Sequence, residues 1–222
     1  MILAIKNAIP KPEPAGPADT GGVADRIVRR SLAKREGDYA DEVRRLLDAA
    51  LELMQRSGTT SRPRVADIVG AAGLSNDAFY RHFRSKDDLV NALLEDGSAR
   101  LRGYLTHQMA KARTPEAQVR RWVEGVLAQA DGELAAATLA VLWNGSGADG
   151  GMAAGRHFAA APLATLLHEP FAALGSDAVE LEAALAAHAT LGQLSDCLWR
   201  RSAASRTETE RVTTFCLRAV SR

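Results

Sequence analysis

Seven side chains near one third of the way along the chain could meet nucleic acid: Ser75, Asn76, Asp77, Tyr80, Arg81, His82 and Lys86. Asn can pair with the edge of adenine, and Asp can accept from the amino group of cytosine. Tyr80 adds an aromatic face with a hydroxyl, and the methyl of Ala78 suits a thymine methyl. Arg81, His82, Lys86 and the earlier Arg64 carry or can acquire positive charge suited to phosphate, and Ser75 can donate to it. Asp77 has a second reading, as an acidic group stabilising a helix N-terminus.

Two short helices and a turn must hold this set. Ile68, Val69 and Ala72 share one face of a helix predicted over 65–72, and Gly73 can take the left-handed conformation that ends it. Leu74 can plug the angle between the helices. Ser75 is a good N-cap for the second helix. Phe79 and Phe83, at i and i+4, would fasten that helix inward and leave 76–78 and 80–82 facing out. A short helix with so much exposed hydrogen-bonding surface is a candidate DNA recognition helix.

Flanking segments extend the pattern. Over 39–56, Val43, Leu46, Leu47, Ala50, Leu51 and Met54 recur at helical spacing, with Asp38 as expected cap and Gly58 beyond the end. After Phe83, Ser85 opens a long helix reaching toward Met109, with Asp87 and Asp88 in its first turn. Before these elements, residues 1 to about 22 are rich in proline and glycine and read as a loose arm. Residues 23–37 carry Arg26, Arg29, Arg30, Lys34 and Arg35 beside Ile27, Val28 and Leu32. That segment reads either as a DNA-contacting arm or as a solvated lead-in to the first helix.

The second half is helical too. Thr114-Pro115-Glu116 opens a helix lined by Val119, Trp122, Val123, Val126 and Leu127. Residues 134–143 are apolar nearly all round, as a buried helix should be. NGSGADGG at 144–151 reads as a connector, lacking the lysine and Ser/Thr of a phosphate loop. A helix broken near Pro162 or Pro170 is expected between 152 and 174. Asp177 is the expected cap of a helix to about Trp199, with Leu181, Leu185, His188, Leu191, Ser195, Leu198 and Trp199 along one side. The last helix starts near Ser205 or Thr207, each followed by glutamate at capping-box spacing, with Val212, Phe215, Cys216, Ala219 and Val220 as its stripe.

Composition narrows the function classes. Net charge over the 222 residues is +1, so the chain is not globally basic. Residues 1–113 hold 19 Lys plus Arg against 15 Asp plus Glu, whereas 114–222 hold 9 against 12. The basic excess lies with the helix-turn-helix, as phosphate contact requires. No apolar run approaches the roughly 18 residues of a membrane span, and MILAIKNAIPKPEP is a poor signal peptide, so a cytoplasmic protein is expected. Cys197 and Cys216 read as buried small apolar residues. His107, His157, His168 and His188 lack metal-ligand spacing, and no metal, cofactor or catalytic residue is expected. A helical enzyme using His157 or His168 beside Ser146 or Asp149 has no spacing in its favour.

The stretch from Val65 to about Val90 resembles the N-terminal domain of tetracycline-repressor-type (TetR family) regulators. The residues that carry the likeness are Ala66-Asp67-Ile68-Val69, Ala71-Ala72-Gly73-Leu74-Ser75, Phe79-Tyr80-Arg81-His82-Phe83 and Ser85-Lys86-Asp87-Asp88-Leu89. EVRRLLDAALELMQRSG resembles the family's first helix. The likeness is tight over 38 to about 95; beyond 113 only helical character carries it. It departs at Ala66, where the family often has a polar or basic residue; Arg64 is the substitute at hand.

The resemblance implies an all-α fold: a three-helix DNA-binding head and a helical ligand-binding and dimerisation domain. By position it implies base contacts from Asn76, Asp77, Ala78 and Tyr80 and backbone contacts from Arg64, Ser75, Arg81, His82 and Lys86. It divides the chain into an N-terminal arm (1–37), a helix-turn-helix domain (38–85) and the helical domain (86–222). It implies a homodimeric repressor, paired through helices at about 177–199 and 206–221, that a small-molecule ligand releases from a double-stranded palindromic operator. An activator or a ligand-independent regulator with the same head is the alternative. Tyr104, Trp122, Trp143, Met152 and Phe158 are candidates for the ligand pocket, with core packing as the other reading.

Overall fold

The computed structural model describes residues 22–145 and 160–220, and all regular structure among them is helical. Helix α1 runs Val23–Ser57, so the helix expected from Tyr39 begins at Val23 instead. Asp38 lies inside it and caps nothing. The start is at Gly22, whose N–H donates to Asp25 Oδ2 at 3.1 Å. Residues 23–37 contain no proline and many good helix formers. Adding residues to a helix already nucleated downstream needs no new nucleus, so the segment follows its neighbour.

Helices α2 (Val65–Ala72) and α3 (Asn76–His82) form the expected helix-turn-helix. Gly73 sits between them at φ 62°, the left-handed conformation that side-chain-bearing residues avoid. Leu74 N–H then donates to Val69 O at 2.9 Å, closing the end of α2. Leu46, Ala50 and Met54 of α1 bury against Ile68, Val69, Phe79 and Phe83. Each large apolar side chain fully buried there contributes about 1.5–3 kcal/mol. Helices as short as α2 and α3 are stable only because they share that core.

Helix α4 spans Lys86–Met109, with Ser85 Oγ accepting from Asp88 N–H at 3.1 Å as expected. Its first half (Leu89, Val90, Leu93, Leu94) belongs to the head core. Its second half (Leu101, Leu105, Met109) belongs to the core of the body. The body continues with α5 (Pro115–Leu127), a tight turn, and α6 (Gly132–Gly145). Thr114 caps α5, accepting from Ala117 N–H at 3.2 Å. Helices α4 and α5 approach closely at Gly125, where a Cβ would lie 2.5 Å from Leu105 Cδ2. Helix α6 returns to the head: Ala140 and Val141 are buried in the head core.

After the undescribed residues come α7 (Ala160–Ala164), the turn Thr165–Leu167 and α8 (His168–Ala173). The expected break therefore falls between the two prolines rather than at either. Helix α9 covers Val179–Arg200 and α10 Arg206–Val220. Asp177 is not the cap of α9: the N-cap residue is Ala178, and Ser176 Oγ accepts its N–H at 3.2 Å. Ser205 does cap α10: its Oγ accepts from Glu208 N–H at 3.2 Å, and its own N–H donates to Glu208 Oε2 at 2.8 Å.

The expected apolar side of α9 is only partly the inner one. The buried face is mostly small: Ala183, Ala186, Ala187, Thr190, Leu194 and Cys197, with Leu198. Leu181, Leu185 and Trp199 are exposed, as is Phe215 of the expected α10 stripe. Alanines admit close packing of α9 on α5 and α7 and leave no inner space for the larger leucines. Arg201, just past α9, takes a left-handed φ of 53° and donates to Thr59 Oγ1 at 2.7 Å, joining the end of α9 to the end of α1.

Candidate nucleic-acid interface

Ser75 fixes the geometry of α3. Its hydroxyl accepts from Ala78 N–H at 3.1 Å, a cap worth about 1 kcal/mol. The helix then buries two adjacent rows, 78/82 and 79/83, and exposes two, 76/80 and 77/81. Asn76, Asp77, Tyr80 and Arg81 form the open edge, with Tyr80 at 59% exposure. Arg64 is exposed at the start of α2, and its N–H donates to Asp67 Oδ2 at 2.8 Å.

Two expected outward residues face inward. Ala78 is 3% exposed, wedged beside Phe79, so its methyl is not presented to a base edge. The His82 side chain is 7% exposed, and its Nε2 lies 2.7 Å from Glu42 Oε2. Tyr39 packs edge-on against the His82 ring at 5.2 Å. The inner row is wider than the sequence suggests because α3 sits in the angle between α1 and α2, which covers a wider arc than the two phenylalanines mark.

Glu42 is the hub of this end of α3. Its carboxyl is held below the usual range, first by the hydrogen bond from His82, then by the charge of Arg81. Arg81 Nη2 stands 3.8 Å from Glu42 Oε2 and its guanidinium 5.7 Å over the Tyr39 ring, yet its side chain is 46% exposed. Arg81 is thus positioned without being sequestered.

Lys86 is half-buried at the start of α4, with Nζ donating to Pro63 O at 3.4 Å. Burial, and next the charge of Arg62, lower its pKa. Arg62 itself lies 5.4 Å over the Trp143 ring, which meets Trp199 edge-on at 6.4 Å. Arg45 of α1 donates to the carbonyls of Ala72 and Gly73, holding the turn from behind. Tyr39, Glu42, Arg45 and Arg62 were not legible as site residues, because each acts on partners remote in sequence.

The expected pocket residues are scattered. Tyr104 lines a groove of about 100 Å³ between α1, α4 and α6, with Leu51, Leu94, Arg100, Leu134 and Val141. Trp122 is fully buried in the body core, where its Nε1–H donates to Leu163 O at 3.0 Å. Trp143 is away from the groove, between Arg62 and Trp199. Met152 and Phe158 lie outside the described residues. Among the described residues no group of side chains could hold a metal ion, and no single helix is long and apolar enough to cross a membrane.

The capped helix-turn-helix is carried on a helical body. Residues 46–93 match the family model for bacterial regulatory proteins of the tetR family. Solved structures agree over most of the chain. One from Mesorhizobium loti, assigned to the TetR family, is 17% identical with a TM-score of 0.59, covering 82% of this chain and 96% of its own. The fatty acid degradation regulator FadR from Bacillus halodurans is 19% identical, TM-score 0.56, covering 78% and 96%. Reduced NemR from E. coli is 19% identical, TM-score 0.54, covering 79% and 95%. No curated protein matches the chain by sequence.

Proposed function

We propose that this regulator binds a palindromic double-stranded DNA operator as a homodimer, represses transcription in the cytoplasm, and leaves the operator when a small molecule binds. The observation that carries the reading is the open edge of α3. Asn76, Asp77 and Tyr80 are exposed on a capped helix with Arg81 at its end, while Lys86 reaches Pro63, the neighbour of the exposed Arg64. Asn76 and Asp77 supply base-edge chemistry; Arg64, Ser75, Arg81 and Lys86 supply phosphate contacts. Ala78 and His82 support this edge from within.

A second copy is supported by the outer faces of α9 and α10, where Leu181, Leu185, Trp199 and Phe215 are all more than half exposed. Ligand control is supported by the groove beside Tyr104, since α1, α4 and α6 all line it and all contribute to the head core. An apolar group smaller than benzene, such as the end of a molecular tail, suits such a volume. Wedged there, it would shift α4 and with it the head.

The test is selection of bound duplexes from a randomised library, followed by affinity measurements on variants. Half-sites should lie about 34–36 Å apart, one helical turn. Arg81→Ala should weaken binding to all sequences and make the salt dependence shallower by about one contact. Asn76→Ala should lose about 1–3 kcal/mol of discrimination at one base pair. Failure to retain any duplex at low salt would overturn the proposal.

A further inference from the structure

Residues 23–37 form the helical extension of α1, and every one of them is exposed. They carry five Lys or Arg against two acidic residues, a net of +3, in a chain whose total is +1. Among the described residues, no carboxylate is within ion-pair distance of Arg30, Lys34 or Arg35. The extension leaves the head at Tyr39, whose ring touches His82 and lies under Arg81 at the C-terminal end of α3. From Tyr39 back to Val23 the helix runs on for roughly 24 Å, at about 1.5 Å per residue.

We infer that this extension is a second DNA-binding element, gripping the phosphates of duplex beyond the bases that α3 meets. The inference rests on the DNA-binding reading above and adds a contact surface to it. Charge complementarity is the first argument: an exposed helix of net charge +3 at the edge of the reading surface suits the polyanion that this surface would serve.

The apolar residues argue against a helical protein partner. Val23 and Ile27 start one stripe, at 63% and 58% exposure, but Arg30 and Lys34 fill its next positions. Val28 and Leu32 start another, and Arg35 stands where it should continue. A helix-pairing face needs the apolar pattern to run on for several turns; here a cation interrupts each stripe after one. Four of the cations, Arg26, Arg29, Arg30 and Lys34, stand at i, i+3, i+4 and i+8 and so share one face of the helix, as contact with a phosphate backbone requires.

The experiment compares the full chain with its Arg30→Gln/Lys34→Gln/Arg35→Gln variant on duplexes selected by the wild-type protein, between about 50 and 200 mM salt. All three changes lie on exposed helix, and circular dichroism checks that the variant is folded. The slope of log affinity against log salt should become shallower by about two to three. The protected duplex should shorten at its outer edges, and base preference at the α3 positions should stay the same. Unchanged slope and unchanged protection overturn the inference while leaving the α3 reading intact. So does a Val28→Asp/Leu32→Asp variant that loses self-association with an unchanged slope, which would assign the extension to a protein contact. If the wild-type chain retains no duplex at all, both readings fall together.

Discussion

At the scale of single residues, the carboxylates decide where the cations point. Glu42 takes His82 and steadies Arg81; Glu208 takes Arg200 and closes the start of α10. Glu208 is held down to about 2, first by the Ser205 backbone N–H, then by the Ser205 hydroxyl and the Arg200 guanidinium. A carboxyl lowered by folding stabilises the fold above its unfolded pKa and ceases to do so as pH falls through the folded one. The contribution of Glu208 is therefore complete above about pH 4.5 and is lost between about 4.5 and 2. Thermal melts should show a smaller fall in midpoint over that window for Glu208→Gln than for the wild type. Equal falls would mean that other carboxyls carry the acid sensitivity of α10.

At the scale of elements, the turn between α2 and α3 is the most constrained piece of the head. Gly73 combines a positive φ with a Cβ position only 3.1 Å from Arg45 Nη2. Gly73→Ala should destabilise the head by about 1–2 kcal/mol, visible in chemical denaturation. An unchanged midpoint would show that the turn relaxes. This turn was legible in the sequence, as were the caps at Ser75, Ser85, Thr114 and Ser205, because each is made within three or four residues. What the sequence hid lies across long separations. Arg45 reaches the end of α2, Glu42 reaches His82, and Lys86 reaches Pro63, and none of these pairings has a local signature. Ala78 was hidden differently: on a helix of seven residues, one buried row and two buried rows give nearly the same pattern. The start of α1 was hidden because a polar, charged helix has no apolar period to reveal it.

At the scale of the whole molecule, apart from Tyr39 and Tyr80 beside α3, the described surface exposes its large apolar side chains at two places. One is the extension of α1; the other is the outer face of α9 and α10. Leu181, Leu185 and Phe215 are 62%, 54% and 53% exposed there. Burying such a face against a second copy satisfies both copies at once by two-fold symmetry. Leu185→Asp/Phe215→Asp should convert a dimer to monomer in sedimentation and weaken operator binding, with the helical signal retained. A variant that stays dimeric would move the interface elsewhere.

Helix α6 belongs to the body by chain order, yet Ala140 and Val141 complete the core under the helix-turn-helix. The boundary between head and body is therefore not a point in the chain that could be cut. A hybrid regulator made by joining residues 22–109 to a foreign body would leave an uncovered hole beneath α1 and α4. To transplant the reading surface, the graft must bring matching small apolar residues on its own equivalent of α6. The head is modular here only to the extent that this one helical turn is inherited with it.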